Sequence, residues 1–283
     1  MSALLPVRMV EKPWGKDQLP APFVAPAGQR IGEVWFEPPP ALQGLLVKYI
    51  FTSEKLSVQA HPSDAQTLAQ GLGRQGKEEC WLVIAADPGA ALAIGFLERA
   101  SADQIRAAAL DGSIEQLLEW HKVRAGDFFY IPAGTVHAIG AGVSLIEVQQ
   151  NSDITYRLYD YGRPRELHLD AGVAVARGEP HDPALRRHIA PDGSLTLVDG
   201  PLFRLDRLMG APDPATIARY AGAPVLVVPL QGDVRVAGEL AAPGQCALAP
   251  SLEALAVGPA ALVLIAQALI AQALITQDCA SAA

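Results

Sequence analysis

The sequence has few of the features that mark exported or disulfide-stabilised proteins. Only three of its 283 residues are cysteines, namely Cys80, Cys246 and Cys279, and no two of them form a CxxC pair. An odd number of widely spaced cysteines is typical of reduced thiols, so we expect a cytoplasmic protein. The N-terminal segment MSALLPVRMVEKPWG also lacks the apolar run of a signal peptide, which agrees with this expectation.

Charged residues are scarce as well, at 18% of the chain, and acidic groups outnumber basic ones. The formal net charge of −8 makes non-specific binding of nucleic acid unfavourable. An anionic ligand would therefore need a local cluster of basic groups. Half of the residues are hydrophobic, so the chain can bury a large core. The oligomeric state is not encoded in these numbers, and we take a monomer as the default.

The longest nearly apolar segment, Ala260–Ile275, is too short for a membrane span. It contains two copies of IAQAL and is interrupted by Gln267 and Gln272. A membrane-spanning helix needs about 20 apolar residues. We therefore expect a core strand that continues into an amphipathic C-terminal helix, and no membrane partner. The repeat has no functional explanation.

The sequence does contain many short β-rich segments. Glycine, proline or aspartate separates most of them, a spacing typical of a β-sandwich or barrel. The predicted strands of the first half are Leu46–Phe51, Lys55–Ala60, Cys80–Ala85, Ala91–Phe96, Asp127–Ile131, Ser144–Gln149 and Thr155–Tyr159. Shorter β-like runs, none of which contains histidine, follow at Val225–Pro229, Asp233–Val236, Cys246–Ala249 and Ala261–Ala266.

Helices interrupt this pattern in two places. Serine followed three positions later by glutamine predicts helix starts at Ser63/Gln66, Ser101/Gln104 and Ser113/Gln116. The first helix stops near Gly71, and the other two form an insertion that ends near Trp120. We predict a catalytic β-domain over residues 1–170 with a helical insertion at about 98–121, a connection over 171–193, and a smaller β-domain over 194–283.

The sharpest local pattern is the segment GDFFYIPAGTVH, which runs from Gly126 to His137. Its two tight turns deliver His137 onto a neighbouring strand with the side chain facing the barrel interior. The segment fits G-x5-P-x-G-x2-H, the second motif of the cupin superfamily, at every fixed position. The Asn expected four residues after the histidine is Ala141 here. The resemblance implies a cupin-type β-sandwich or jelly-roll barrel followed by a smaller, cupin-like β-domain.

Further side chains of metal-ligand type precede this motif. Gln59 and His61 lie two residues apart in a predicted strand, so both side chains face the same side. Glu79 begins the strand that follows the first capped helix. Imidazole, carboxylate and amide oxygen together suit a borderline divalent metal, for which zinc is the best match.

Four segments, QAHPSD, GKEECW, PAGTVHAIG and IEVQQNSDITYRLYDYGR, occur in the order and spacing of class I mannose-6-phosphate isomerases. The segments EKPWG and GEVW also resemble the opening of that family. The similarity covers about Pro6 to Arg165, is strongest to the short bacterial type, and is weak beyond Gly193. It implies a zinc-dependent enzyme, with one Zn²⁺ per chain, that interconverts mannose 6-phosphate and fructose 6-phosphate.

The same resemblance implies roles for individual residues. The metal ligands would be Gln59, His61, Glu79 and His137. The catalytic residues would be Arg157, Glu147 and Lys77. The substrate-binding residues would be Ser57, Lys77 and Arg163, the last standing where some longer relatives have a lysine. Glu147 is the candidate base that moves a proton between C1 and C2 through a cis-enediol, although a metal-bound water could act instead. The histidines that match no motif are interpreted as surface or packing residues: His121, His168, His181 and His188.

Three alternatives to this function stay open. A non-catalytic sugar-binding or regulatory cupin could keep the same ligands, but it would not need Arg157, Glu147 and Lys77. An isomerase of another sugar phosphate would share every motif, because epimer choice depends on other details of the pocket. An iron-dependent oxygenase would call for a site richer in histidine than one containing Gln59. The expected partner is a hexose 6-phosphate.

Overall fold

The fold is built from short antiparallel strands, as the spacing of the β-rich segments predicts. The computed structural model of the chain describes residues 3–269. The strands of its first part are β1 (Val7–Lys16), β2 (Ile31–Phe36), β3 (Leu45–Phe51), β4 (Val58–Ala60), β5 (Glu79–Ala86), β6 (Ala91–Phe96), β7 (Leu118–Lys122), β8 (Asp127–Ile131), β9 (His137–Ile139), β10 (Val143–Gln150), β11 (Tyr156–Tyr159) and β12 (Arg186–His188). The strands of its second part are β13 (Leu195–Asp199), β14 (Phe203–Met209), β15 (Val225–Gln231), β16 (Val234–Val236), β17 (Glu239–Ala241), β18 (Ala247–Ala249), β19 (Leu255–Val257) and β20 (Leu262–Ala268).

Few helices accompany these strands in the described part of the chain. The α-helices are α1 (Asp64–Ala69), α2 (Ala102–Asp111), α3 (Ile114–Leu117), α4 (Leu169–Val175) and α5 (Pro214–Arg219). Short 3-10 turns lie at Pro40–Leu42, Pro183–Leu185 and Leu252–Ala254. The predicted all-β fold with a small helical insertion is confirmed. Among residues 3–269, no helix is long and apolar enough to cross a membrane.

Two sheets of the first part enclose the candidate site. The larger has the order β1-β2-β3-β10-β5-β8-β12, and the smaller has the order β11-β4-β9-β6-β7. Apolar side chains of both sheets pack between them, among them Trp81 and Leu145 from the larger sheet and Leu92 and Ile94 from the smaller. This arrangement is the predicted β-sandwich.

The strands β5 and β10 at the middle of the larger sheet are buried on both faces. Because side chains alternate along a strand, Trp81 faces the smaller sheet, while Leu82 on the other face joins a different apolar cluster. That second cluster contains Ile146 of β10 together with Phe203 and Leu264 of the second part of the chain. The second part therefore covers the outer face of the larger sheet.

The helix starts are only partly as predicted. Both capping boxes, at Ser63 and Ser101, are present with reciprocal bonds. The side chain of Ser113 makes no capping bond, and α3 is a single turn. The prediction that this helix ends near Trp120 was wrong, because Trp120 lies in β7 and pairs with Ala93 of β6. Pairing with a neighbouring strand overrides the local helix signal.

The second part forms a five-stranded sheet, β13-β14-β20-β15-β18, and a three-stranded sheet, β17-β16-β19. The first IAQAL copy ends β20, where the buried Gln267 side chain donates to the carbonyls of Tyr220 and Ala223 at 3.0 Å each. The second copy, the predicted C-terminal helix and Cys279 lie outside the described residues. Strand β12, inside the predicted connection, pairs with β8 and so extends the larger sheet. The domain boundaries stay a prediction.

Replacing Leu264 by Ala should lower the free energy of unfolding by about 2–5 kcal/mol, because it leaves a cavity in the apolar cluster shared by the two parts. Denaturant unfolding of the purified protein measures this loss. Leu240, which is 46% exposed in β17, is the control, and its replacement by Ala should change stability by less than about 0.5 kcal/mol. Equal losses for the two variants would contradict the packing described here.

Candidate active site

Three side chains of metal-ligand type meet between the two sheets of the first part. His61 follows β4, Glu79 begins β5 and His137 begins β9. All three are buried, with at most 2% of each residue exposed. One possible donor atom from each lies within 4.8 Å of the others. Among residues 3–269, this is the only group of three or more such side chains that could hold a metal ion.

The strand pairing explains why these groups meet. In the smaller sheet, Gln59 lies opposite His137 on one neighbouring strand and opposite Arg157 on the other. In the larger sheet, Glu147 lies opposite Lys48 on one side and Trp81 on the other. Residues directly opposite one another across an antiparallel pair project from the same face. Two cross-strand rows of polar side chains therefore face each other across the sandwich.

The imidazole rings are oriented by backbone carbonyls. The Nδ1 atoms of His61 and His137 lie 2.9 Å from the carbonyl oxygens of Ile154 and Thr135, respectively. A neutral ring that donates from Nδ1 leaves Nε2 as an acceptor, the atom that can bind a metal. In this structure Lys77 Nζ lies 3.2 Å from His61 Nε2. Burial, reinforced by the charge of Lys77, holds the pKa of His61 well below its usual range and lowers the pKa of His137 to about 4. Both rings are therefore neutral at pH 7.

The carboxylate of Glu79 faces these lone pairs. Its Oε1 atom lies 3.3 Å from His137 Nε2 and is buried without a hydrogen-bond partner. Its Oε2 atom lies 2.5 Å from Lys77 Nζ and 3.9 Å from His61 Nε2. Burial, only partly offset by the ammonium of Lys77, raises the pKa of Glu79 to about 7. A buried acceptor with no donor, beside two imidazole lone pairs, is the arrangement that a cation would satisfy.

Gln59 is next to this cluster. Its Nε2 atom lies 3.3 Å from His137 Nε2, and its Oε1 atom accepts a hydrogen bond of 3.1 Å from the Ser57 hydroxyl. Because a hydroxyl can also accept, turning the amide over would keep the bond to Ser57 and point the amide oxygen at the cluster. Ser57 can thus orient Gln59 in either form.

Two lysines and Glu147 form a charged network beside the cluster. Lys48 Nζ lies 3.2 Å from Glu147 Oε1, and Lys77 Nζ lies 3.7 Å from the same oxygen. Burial alone would raise the pKa of Glu147, but the ammonium groups of Lys48 and Lys77 outweigh it and lower this pKa to about 2. Burial likewise works against the charge of Lys77, but Glu147 and Glu79 raise its pKa. Glu147 is therefore ionised at neutral pH, the form that a base requires, although so low a pKa makes it a weak proton acceptor.

A cavity of about 390 Å³ opens beside this network, within the range of small-molecule sites. Its lining includes the predicted residues Ser57, Gln59, Lys77, Glu147 and Arg157. It also includes polar and aromatic residues to which the sequence gave no role: Lys12, Trp14, Glu33, Trp35, Lys48, Arg165 and His168. Lys12, Trp14, Glu33 and Trp35 belong to the EKPWG and GEVW segments, so a signal for them was present in the sequence.

Arg163 is the predicted substrate-binding residue that the structure does not bring to the cavity. Its guanidinium pairs with Glu54 at 3.1 Å and with Asp160 at 3.2 Å, and it lies over the Tyr161 ring. Arg165, two residues further on, lines the cavity instead. His168, which was interpreted as a surface or packing residue, lines the cavity too.

The fold and the buried His–Glu–His cluster define a cupin-type β-sandwich protein with a candidate metal centre. No protein-family model matches the chain. The mannose-6-phosphate isomerase of Streptococcus mutans is 44% identical over 137 residues, which cover 46% of this chain and 43% of that protein. The mannose-6-phosphate isomerase ManA of Bacillus subtilis is 42% identical over 137 residues, with the same coverage. The chain thus matches less than half the length of these curated relatives.

Solved structures extend the similarity to nearly the whole fold. The crystal structure of the mannose 6-phosphate isomerase from Bacillus subtilis has a TM-score of 0.75 and 23% identity, and the alignment covers 94% of this chain and 100% of that one. A zinc-bound mannose 6-phosphate isomerase has a TM-score of 0.67 and 16% identity, with coverage of 93% and 98%. At these identities the structures show a common fold. The resemblance predicted from the sequence motifs is confirmed.

Replacing Glu79 by Gln should weaken Zn²⁺ binding by more than about 100-fold, because it removes the negative charge that faces the two imidazoles. For comparison, losing a group that only orients a metal ligand lowers metal affinity by about 10- to 100-fold. Calorimetric titration of chelator-stripped protein with Zn²⁺ measures the affinity. Glu78→Gln is the matched control, since Glu78 hydrogen-bonds to Tyr130 outside the cluster. An unchanged affinity for the Glu79 variant would exclude this cluster as a metal site.

Proposed function

We propose that the chain is a zinc-dependent aldose–ketose isomerase that interconverts mannose 6-phosphate and fructose 6-phosphate. The observation that carries the proposal is the buried cluster His61–Glu79–His137, which contacts Lys77 and Gln59 of the cavity wall. The same cavity is lined by ionised Glu147 and by the cation Arg157. The names of the relatives support the same reaction. A cytoplasmic location, expected from the cysteines, is part of the proposal.

The residues present fit a zinc ion. His61, Glu79 and His137 offer two neutral imidazoles and a carboxylate oxygen that has no other partner. Gln59 would complete a four-ligand set by presenting its amide oxygen. These are ligand types that Zn²⁺ accepts, and we propose one ion per chain. When bound, the ion would supply Lewis-acid stabilisation of negative charge that develops on the sugar oxygens.

The side chains of the cavity can perform the proton transfer. Isomerisation moves a proton between C1 and C2 of the sugar through a cis-enediol. Glu147 is the proposed base, with one oxygen held by Lys48 and the other accepting from Trp81 Nε1 at 3.2 Å. These bonds fix the direction of the carboxylate, which a proton acceptor on one face of the sugar requires.

Two cations can stabilise the charge that develops during the reaction. Arg157 lies opposite Gln59 in the strand register, so its side chain projects from the same face of the sheet and lines the cavity. Lys77 holds its ammonium between Glu79 and Glu147. Cations held at fixed positions stabilise a developing oxyanion more than they stabilise the neutral sugar.

We also propose that the predicted domain of residues 1–170 contains the whole active site. The support is that every residue lining the cavity falls between Lys12 and His168. The second part of the chain would act on the site only through packing, by covering the outer face of the sheet that carries Glu79 and Glu147.

A coupled assay tests the function. The purified, zinc-loaded protein should convert mannose 6-phosphate to fructose 6-phosphate, lose this activity on treatment with a chelator, and regain it with zinc. Glucose 6-phosphate, the C2 epimer, serves as the specificity control and should react more slowly. A protein that holds its zinc and turns over neither sugar phosphate would overturn the proposal and favour a binding protein.

Replacing Glu147 by Gln should lower kcat by about 10²- to 10⁴-fold, the usual contribution of a positioned acid or base, with a smaller effect on KM. The same coupled assay measures both constants. Zinc content by atomic absorption is the control and should equal that of the unmodified protein. A kcat within a factor of two of the original would remove Glu147 from the mechanism.

A further inference from the structure

The wall of the cavity formed by β11 and the segment leading to α4 carries three basic side chains. Arg157, Arg165 and His168 all line it. No motif assigned a role to Arg165 or His168. In an acidic protein, three such groups on one wall of a cavity need an explanation.

The other cations of the cavity are matched by carboxylates. Lys12 pairs with Glu33 at 3.3 Å, and Lys48 and Lys77 pair with Glu147 and Glu79. Arg157 is different, because its hydrogen-bond partner is the carbonyl of Glu166 at 3.4 Å, and among residues 3–269 no carboxylate lies within 4 Å of its guanidinium. The wall thus carries positive charge that the protein itself does not neutralise.

Arg165 is held rigidly by a buried carboxylate. Asp160, which is 2% exposed, accepts from Arg165 Nε and from Arg165 Nη2 at 2.6 Å each. This fork fixes the plane of the guanidinium. The Nη1 group has no hydrogen-bond partner in the described part of the chain, so it is available to a ligand.

Asp160 also binds Arg163, but with a different result. Arg163 Nη1 donates to Asp160 Oδ1 at 3.2 Å, and its Nη2 donates to Glu54, away from the cavity. Tyr161 and Gly162, which lie between Asp160 and Arg163 in the chain, both have a positive φ, at 55° and 75°. Two arginines therefore share one buried carboxylate, and only Arg165 reaches the cavity.

His168 is fixed by the backbone of Arg157. The N–H of Arg157 donates to His168 Nδ1 at 3.3 Å, and the N–H of His168 donates to the carbonyl of Arg157 at 2.8 Å. Because Nδ1 accepts, the neutral ring carries its proton on Nε2. The ring thus offers the cavity an N–H donor beside Arg157.

We propose that Arg165 and His168 bind the phosphate group of the substrate, that Asp160 is the positioning residue for Arg165, and that Arg163 makes no contact with substrate. The inference rests on the proposed function in that the ligand is a sugar phosphate. The phosphate of a hexose 6-phosphate lies at the opposite end of the molecule from C1 and C2. Arg165 and His168 have no hydrogen bond to the proposed metal ligands, so they can hold that end while C1 and C2 reach the cluster.

Binding of an unreactive ligand tests the proposal without turnover. Glucitol 6-phosphate has no carbonyl and cannot isomerise, and its Kd for the zinc-loaded protein can be measured by calorimetry. Arg165→Gln should raise this Kd by about 10- to 100-fold, the range expected for a lost hydrogen bond to a charged group. Arg163→Gln removes the other arginine that binds Asp160, and it should leave this Kd within about twofold of the original value. Unphosphorylated glucitol should bind both variants alike.

The positioning role of Asp160 has its own readout. Asp160→Asn should raise KM for mannose 6-phosphate with little change in kcat, because it loosens Arg165 without touching the reacting carbons. Equal effects of Arg163→Gln and Arg165→Gln on the Kd of glucitol 6-phosphate, or no effect of either, would overturn the proposal. Arg165-dependent binding in a protein without isomerase activity would reject the proposed reaction and keep this phosphate site. Turnover of mannose 6-phosphate, with binding that does not depend on Arg165, would reject this phosphate site and keep the proposed reaction.

Discussion

The burial of the Glu79 carboxylate between two sheets is the constraint on which the rest of the structure depends. A buried charge is tolerated only with partners, and Glu79 has Lys77 on one oxygen and a histidine lone pair facing the other. The buried ammonium of Lys77 also pairs with Glu147, and the buried carboxylate of Glu147 pairs with Lys48. Glu79, Glu147 and Lys48 lie on the inner faces of β5, β10 and β3, and Lys77 precedes β5 by two residues. The alternation of these three strands therefore determines which of their residues can take part.

The same alternation explains why the second part of the chain is needed. With Glu79 and Trp81 on the inner face of β5, Cys80 and Leu82 must face outward, and both are apolar and buried. The second part supplies the cover for that outer face. Packing on one side of the sheet and charge on the other are thus linked through the register of two strands.

Much of the fold and of the metal cluster could be predicted because the signals are local. The capping boxes at Ser63 and Ser101, and the turns that present His137, each need only a few consecutive residues. The position of Trp120 could not be predicted in this way, since it depends on pairing with β6. Arg165 rather than Arg163 lines the cavity because of a turn with positive φ and the buried position of Asp160. Residue spacing reveals neither of these features. The role of Lys48 appears only when β3 pairs with β10.

The most direct test of the central claim is a crystal structure of the zinc-soaked protein with anomalous diffraction at the zinc edge. The account predicts one zinc peak per chain, bonded to His61, Glu79 and His137, with the amide oxygen of Gln59 turned toward it. A zinc ion bound elsewhere, or an empty cluster in crystals of protein that needs zinc for activity, would contradict the account.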